Sequence, residues 1–240
     1  MFFDRENFID IYQQKLEFFT SKKWQNTYHL AFLGLRRTGK TTLIQQLFEY
    51  YSKGQLTFYF DFSALATTPL NFSRELIFAL FSKIDGNMYI DLDELRINQT
   101  QPELLEAVKN YQKVITTGNE YKIIDVTFSM ITLLSKYHNM IIAFDEFQEL
   151  LNFRNFRDLK QIDALFRSHL LNQTKVFYLI SGSYPEIIKD LILNPHNMLY
   201  SHFEIYEIGN FDQKTSRAYT KYLSPHLDNK TIRTIYTATN

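Results

Sequence analysis

Gly34-Leu35-Arg36-Arg37-Thr38-Gly39-Lys40-Thr41 stands between an apolar run, Tyr28-His29-Leu30-Ala31-Phe32-Leu33, and a stretch from Thr42 to Tyr51. The run has the continuous apolar character of a strand buried on both faces of a parallel sheet. The stretch after it places Leu43, Leu47 and Tyr50 on one side of a helix that stops near Gly54. The octapeptide fits G-x-x-x-x-G-K-[ST], and strand, loop and helix in that order give the pattern its meaning. Gly34 and Gly39 let the backbone wrap closely enough for successive N–H groups to face phosphates at the positive end of the helix. Lys40 is expected to reach the β- and γ-phosphates as a point charge, and the Thr41 hydroxyl to hold Mg²⁺. Arg37, Thr38 and Thr42 lie in the same loop and are counted with Gly34, Gly39, Lys40 and Thr41 as the nucleotide-binding set.

A second apolar run, Asn139 to Phe144, leads into Asp145-Glu146-Phe147-Gln148-Glu149. Beside a phosphate loop, an Asp at a strand end is suited to a Mg²⁺ contact, and an adjacent Glu to acting as general base on the attacking water. Asp145 and Glu146 are the candidates for these roles. A third run, Lys175 to Ile180, is followed by Ser181-Gly182-Ser183 and a helix from about Pro185 to Leu193. In nucleotide hydrolases with an acidic strand of this kind, a strand inserted between it and the loop strand ends in a polar residue that senses the γ-phosphate. Ser181 or Ser183 fits that role, and the same Ser-Gly-Ser turn also fits plain helix capping. Leu56–Phe62 and Phe203–Ile208 complete five strands.

The chain has 240 residues, 45% hydrophobic and 22% charged, enough for one large domain or a core and the start of a second. Twenty-six basic residues balance 26 acidic ones, so a nucleic-acid contact would have to be a local patch. There is no cysteine, which excludes disulfides, thiolate metal sites and a cysteine nucleophile. The charged start and the lack of an apolar run of about 20 residues lead to the expectation of a soluble, cytoplasmic protein without a membrane partner. Histidines at 29, 138, 169, 196, 202 and 226 show no metal-ligand spacing. The 16 Tyr and 22 Phe fall mostly in the expected strands and helices, which makes them core rather than a base-stacking surface. Asp85 to Tyr121 reads as polar and irregular, with one amphipathic helix between Gln101 and Val114 carrying Leu104, Leu105, Val108, Tyr111 and Gln112. Tyr121 to Tyr137 reads as the helix leading into the acidic strand.

The loop Gly34–Thr41 with its Arg36-Arg37, the strand ending Asp145-Glu146-Phe147-Gln148, and the strand ending in Gly182-Ser183 resemble the archaeal-type AAA+/STAND P-loop ATPases, relatives of the Orc-type replication initiators. Phe3-Asp4-Arg5-Glu6-Asn7-Phe8 is similar to that family's opening Phe-x-x-Arg-Glu-x-Glu-Leu, with Asn7 and Phe8 departing from it. The resemblance implies that Arg5 lies on the adenine side of an ATP or ADP site. It also implies a three-layer α/β fold with a mainly parallel five-stranded sheet and helices on both faces. Residues 1–210 would form the ATPase core, with an N-terminal helix and a helical insertion at about 85–120. Residues 211–240 would form part of a helical lid, with helices at Asp212–Leu223 and Lys230–Thr237. The family commonly carries an arginine before the fifth strand where this chain has His202, and that departure implies slow turnover.

The resulting expectation is a Mg²⁺-dependent ATPase working as a molecular switch, with Lys40, Glu146 and Ser183 catalytic and Thr41 and Asp145 at the metal. The alternative is a nucleotide-locked interaction or DNA-loading module that hardly turns over. A homo-oligomer or a protein client is the implied partner, and DNA enters by family analogy alone. A small-molecule kinase needs an acceptor pocket that the sequence does not reveal, and it leaves Glu146 without a task.

Overall fold

The computed structural model describes residues 5–21, 29–52, 54–65, 68–228 and 230–234. Phe3 and Asp4 of the N-terminal motif, the expected strand residue Tyr28 and the expected helix end at Tyr236 and Thr237 lie outside the described residues. In chain order the elements are α1 (Glu6–Thr20), β1 (His29–Leu33), α2 (Lys40–Gln46), β2 (Leu56–Asp61), α3 (Phe62–Leu65), α4 (Pro69–Asp85), α5 (Leu92–Asn98), α6 (Pro102–Thr116), α7 (Glu120–Leu134), β3 (Met140–Asp145), α8 (Ile162–Leu170), β4 (Val176–Gly182), α9 (Pro185–Leu193), β5 (Phe203–Glu207) and α10 (Gln213–Leu223). The five strands form one sheet, parallel throughout, in the order β2-β3-β4-β1-β5. β4 therefore lies between β1 and β3, as its polar end led us to expect.

Strand side chains alternate between faces, and in this sheet both faces are apolar. Leu30, Phe32, Ile141, Ala143, Phe177 and Leu179 pack on one side against α1 and α2 through Phe8, Ile9, Tyr12, Leu43, Ile44 and Leu47. Ala31, Leu33, Ile142, Phe144, Tyr178 and Ile180 face the larger core, which α4, α6, α7, α8 and α9 cover. The result is a three-layer α/β fold. Phe144 is at the centre of an aromatic cluster, with ring centroids 4.6 Å from Phe62, 5.6 Å from Tyr178 and 6.0 Å from Phe60 and Phe166.

Two readings need correction. A π-helical turn at Leu47–Tyr51 continues α2 and widens the repeat, so the expected apolar face loses its last member. Tyr50 is 55% exposed, and Tyr51 instead packs half-buried against the α1 side of the sheet. The segment from Asp85 to Tyr121 is more regular and more deeply integrated than its polarity suggested. It holds both α5 and α6 and contributes Tyr89, Leu95, Leu104, Val108 and Tyr111 to the larger core. Ser73 Oγ donates to the Tyr111 hydroxyl at 2.8 Å, which ties α6 to α4.

His29 is buried among Phe177, Tyr178 and Phe203, and its Nδ1 accepts the Tyr178 N–H at 3.1 Å. Burial, aided by the nearby His202, lowers its pKa from 6.5 to about 3. The unfolded chain takes up a proton below pH 6.5 while the folded chain does not, so this stability is complete above that pH and declines as pH falls toward 3. In urea unfolding, the wild type is expected to lose about 1.4 kcal/mol per pH unit across this window relative to His29→Leu. Phe144→Ala, which empties the centre of the aromatic cluster, is expected to lower the unfolding free energy by about 3–5 kcal/mol in the same assay at pH 7.

Candidate functional site

β1, β3 and β4 deliver their carboxyl ends to one edge of the sheet, and the sequence singled out each of those ends. After β1 the chain makes the tight loop that the two glycines permit. A Cβ on Gly34 would run into Ile208 O, and Gly39 has φ +87, a left-handed conformation natural to glycine. Arg37 adopts φ 67 in the same loop. α2 then begins at Lys40, with Leu43 N bonded to Gly39 O at 2.9 Å.

Lys40 is 4% exposed, and its Nζ donates to Gly34 O at 2.8 Å, to Leu35 O at 2.9 Å and to Ser183 Oγ at 3.3 Å. Burial lowers its pKa, and the charges of Glu146 and Asp145 oppose that shift. Asp145, 2% exposed, accepts four hydrogen bonds: Thr41 Oγ1 at 2.5 Å and the Tyr59 hydroxyl at 2.7 Å on Oδ2, and the Ser181 hydroxyl and the Glu146 N–H on Oδ1. Thr41 and Asp145 thus present hard oxygen donors side by side. One carboxylate and one hydroxyl, completed by phosphate oxygens and water, is a donor set that fits Mg²⁺.

Glu146 has φ 51 and ψ 46, a conformation uncommon for a residue with a Cβ. Its N–H is held by Asp145 Oδ1 at 3.0 Å and its C=O by the Glu149 N–H at 2.9 Å. Its carboxylate turns to the end of β4, where it accepts the Ser183 N–H at 3.1 Å, the Ser183 hydroxyl and Gln148 Nε2 at 2.6 Å. The two serines that the sequence left open are separated here: Ser181 bonds Asp145, and Ser183 bridges Lys40 and Glu146.

A cavity of about 440 Å³ is lined by Arg36, Arg37, Gly39, Lys40, Thr41, Thr42, Ser63, Glu146, Glu149 and Ser183. A second cavity, of about 290 Å³, shares Arg37, Gly39 and Thr42 with it and adds Arg5, Thr38, Leu43, Gln46, Asn210, Phe211 and Tyr219. Arg5, 8% exposed, donates to Thr38 O at 3.1 Å and Gly209 O at 2.8 Å and stacks its guanidinium 4.7 Å from the Phe211 ring. Phe211 also meets Tyr219 of α10 edge-on at 5.7 Å.

Three features differ from what the sequence conveyed. Tyr59 on β2 reaches Asp145, with its hydroxyl pKa raised by burial first and by Asp145 next, and no pattern marked it out. Gln46, Asn210, Phe211 and Tyr219 come together only through the fold. His202 lines neither cavity. It precedes β5, and its C=O accepts the His29 N–H at the start of β1, so it sits at the edge of the sheet opposite the phosphate loop. Arg167 Nε donates to its Nε2 at 3.1 Å.

The family model described as AAA domain matches residues 26–138. No curated protein matches the sequence significantly. Among solved structures, a Walker-type ATPase of Pyrococcus abyssi aligns at 22% identity with a TM-score of 0.61, covering 95% of this chain and 60% of its own. The ORC2 protein of Aeropyrum pernix, in ADPNP–ADP complexes, aligns at 13% identity and a TM-score of 0.57, with 91% and 51% covered. Cdc6p from Pyrobaculum aerophilum aligns at 12% identity and 0.51, with 90% and 48% covered. The chain thus spans about half to three fifths of the length of these proteins. The resemblance to Orc-related AAA+ P-loop ATPases read from the sequence is borne out by the AAA domain match and by the shared fold. No helix among the described residues is long and apolar enough to cross a membrane.

The hydroxyl of Tyr59 acts on Asp145 and touches neither cavity wall. Tyr59→Phe is expected to weaken Mg²⁺-dependent nucleotide binding about tenfold and to leave binding in EDTA unchanged, as read by calorimetric titration.

Proposed function

We propose that the chain is a cytoplasmic, Mg²⁺-dependent ATPase that works as a molecular switch. The observation that carries this reading is the meeting of Lys40, Thr41, Asp145, Glu146 and Ser183 beside one cavity, which shares Arg37, Gly39 and Thr42 with a second cavity of apolar and amide character. The larger cavity suits the triphosphate and the smaller one the base. N–H groups at the start of α2 and the Lys40 ammonium would face the phosphates. Arg5 and Phe211 would shape the base side, with the Gln46 and Asn210 amides available to its polar edge. Thr41 and Asp145 would hold Mg²⁺, which neutralises charge on the phosphate oxygens when bound.

In this reading one oxygen of the Glu146 carboxylate takes the proton of the attacking water, and Ser183 stands between that carboxylate and Lys40 as the γ-phosphate contact. Residues 1–210 would be the ATPase core and 211–240 a lid, a division supported by Phe211 and Tyr219 at the base cavity. Switching follows if a bound nucleotide fixes α10 through those two rings and hydrolysis releases it. A second copy of the chain or a protein client is the proposed recipient of that change. DNA rests on the resemblance to initiators, and zero net charge makes a local basic patch its requirement.

A slow, nucleotide-locked module is the second reading, favoured by the position of His202. The residue that stands where the resemblance leads one to expect arginine is at the far edge of the sheet, so a further cation at the transition state would come from Arg36 or Arg37 of the loop or from outside the chain.

ATP turnover across a range of protein concentrations tests both. Lys40→Ala is expected to weaken ATP binding about tenfold to a hundredfold, and unchanged affinity would remove the phosphate-loop reading. Glu146→Gln is expected to keep binding and lose about a hundredfold or more in turnover. A specific rate that climbs with concentration supports completion by a neighbouring copy, and a flat, near-zero rate with tight binding supports the locked module.

A further inference from the structure

We infer that Gln148 is a positioning residue that fixes the direction of the Glu146 carboxylate, with the glycine at 182 leaving room for it and for Ile188. This deepens the reading of Glu146 as the water-activating base and rests on it. Gln148 is 6% exposed and lies in the 3-10 segment Phe147–Asn155 that follows Glu146. Its Nε2 donates to Glu146 Oε2 at 2.6 Å and reaches Glu149 Oε1 at 3.5 Å. The same Oε2 accepts the Ser183 N–H at 3.1 Å, so the carboxylate is gripped by an amide from its own segment and by the backbone at the end of β4.

The other end of the amide shows what this arrangement requires. Gln148 Oε1 is buried without a hydrogen-bond partner among the described atoms. A Cβ on Gly182 would run into that oxygen and into Ile188 Cδ1. An apolar side chain of equal size would fill the space without leaving a carbonyl oxygen unmatched. The amide is therefore matched to its surroundings only at the end that faces Glu146. A carboxylate in its place would face both Glu146 and Glu149, which leaves an uncharged donor as the side chain that fits. Gln148 does not line the larger cavity, so its influence on chemistry runs through the residues it holds, Glu146 at 2.6 Å first and Glu149 at 3.5 Å second.

Two variants test this in the full chain. Gln148→Met keeps the volume and removes the donor, and Gln148→Leu removes the donor without adding charge if Met is not accommodated. Either is expected to lower kcat about tenfold to a hundredfold with KM and the ATP Kd within about twofold of wild type. Added to Glu146→Gln, the Met variant is expected to cause no further fall. Crystals of wild type and variant grown without nucleotide give a readout independent of turnover: the Glu146 carboxylate on the Ser183 N–H in the wild type, and turned away in the variant. Unchanged kcat, a change confined to KM or ATP affinity, or a Glu146 that stays in place would each overturn the inference. If the wild type binds ATP without hydrolysing it and Glu146 still turns in the variant, the role of Glu146 as base falls while its positioning by Gln148 stands.

Discussion

A carboxylate almost wholly removed from water must have its oxygens answered by donors, and Asp145 at the end of β3 has four. The donors come from α2 (Thr41), β2 (Tyr59), β4 (Ser181) and the next peptide (Glu146). One buried charge thereby fixes how the phosphate loop, the acidic strand and both its neighbours meet. The left-handed turn at Glu146 is held by the same carboxylate, through the N–H of residue 146. The backbone turn from which the adjacent acid projects is thus tied to how Asp145 is satisfied, while its carboxylate is held by Gln148 and Ser183.

The parallel sheet makes this convergence possible. Because every strand runs the same way, all five carboxyl ends lie along one edge, the edge at which ligands bind in open α/β sheets. Apolar faces on both sides hold that edge rigid: Phe8, Tyr12 and Leu47 below, the Phe62–Phe144–Phe166 cluster above. Polar groups are then confined to the strand ends, where Lys40, Asp145, Glu146 and Ser183 are held by one another and by backbone. Polar groups held in place in this way need little reorganisation to act on a charged ligand.

The smaller cavity is built differently. Arg5, Phe211 and Tyr219 come from the start of the chain, the segment after β5 and α10, and they meet by stacking and by hydrogen bonds to Thr38 O and Gly209 O. α10 has no buried residue and Asp212 as its N-cap. A helix with so little burial is the part of the molecule whose position a ligand at Phe211 can most readily bias.

Much of this was written in the chain itself. Glycine at 34 and 39, lysine at 40, the continuous apolar runs and the acids at 145 and 146 are local features, and local sterics and strand burial suffice to read them as a strand, phosphate loop and acidic strand. The place of β4 between β1 and β3 was also expected, from the likeness of its polar end to that of other nucleotide hydrolases, whereas the places of β2 and β5 came from the structure. The sequence was weaker where burial overrides polarity, as in α5 and α6, and where one hydrogen-bond register change moved Tyr50 to the surface. Tertiary structure alone decided that Ser181 serves Asp145 while Ser183 serves Glu146, that Tyr59 completes the acid's donors, and that His202 lies at the far edge. Each of these depends on the direction of a side chain across strands distant in sequence, and direction is set by packing and not by residue type.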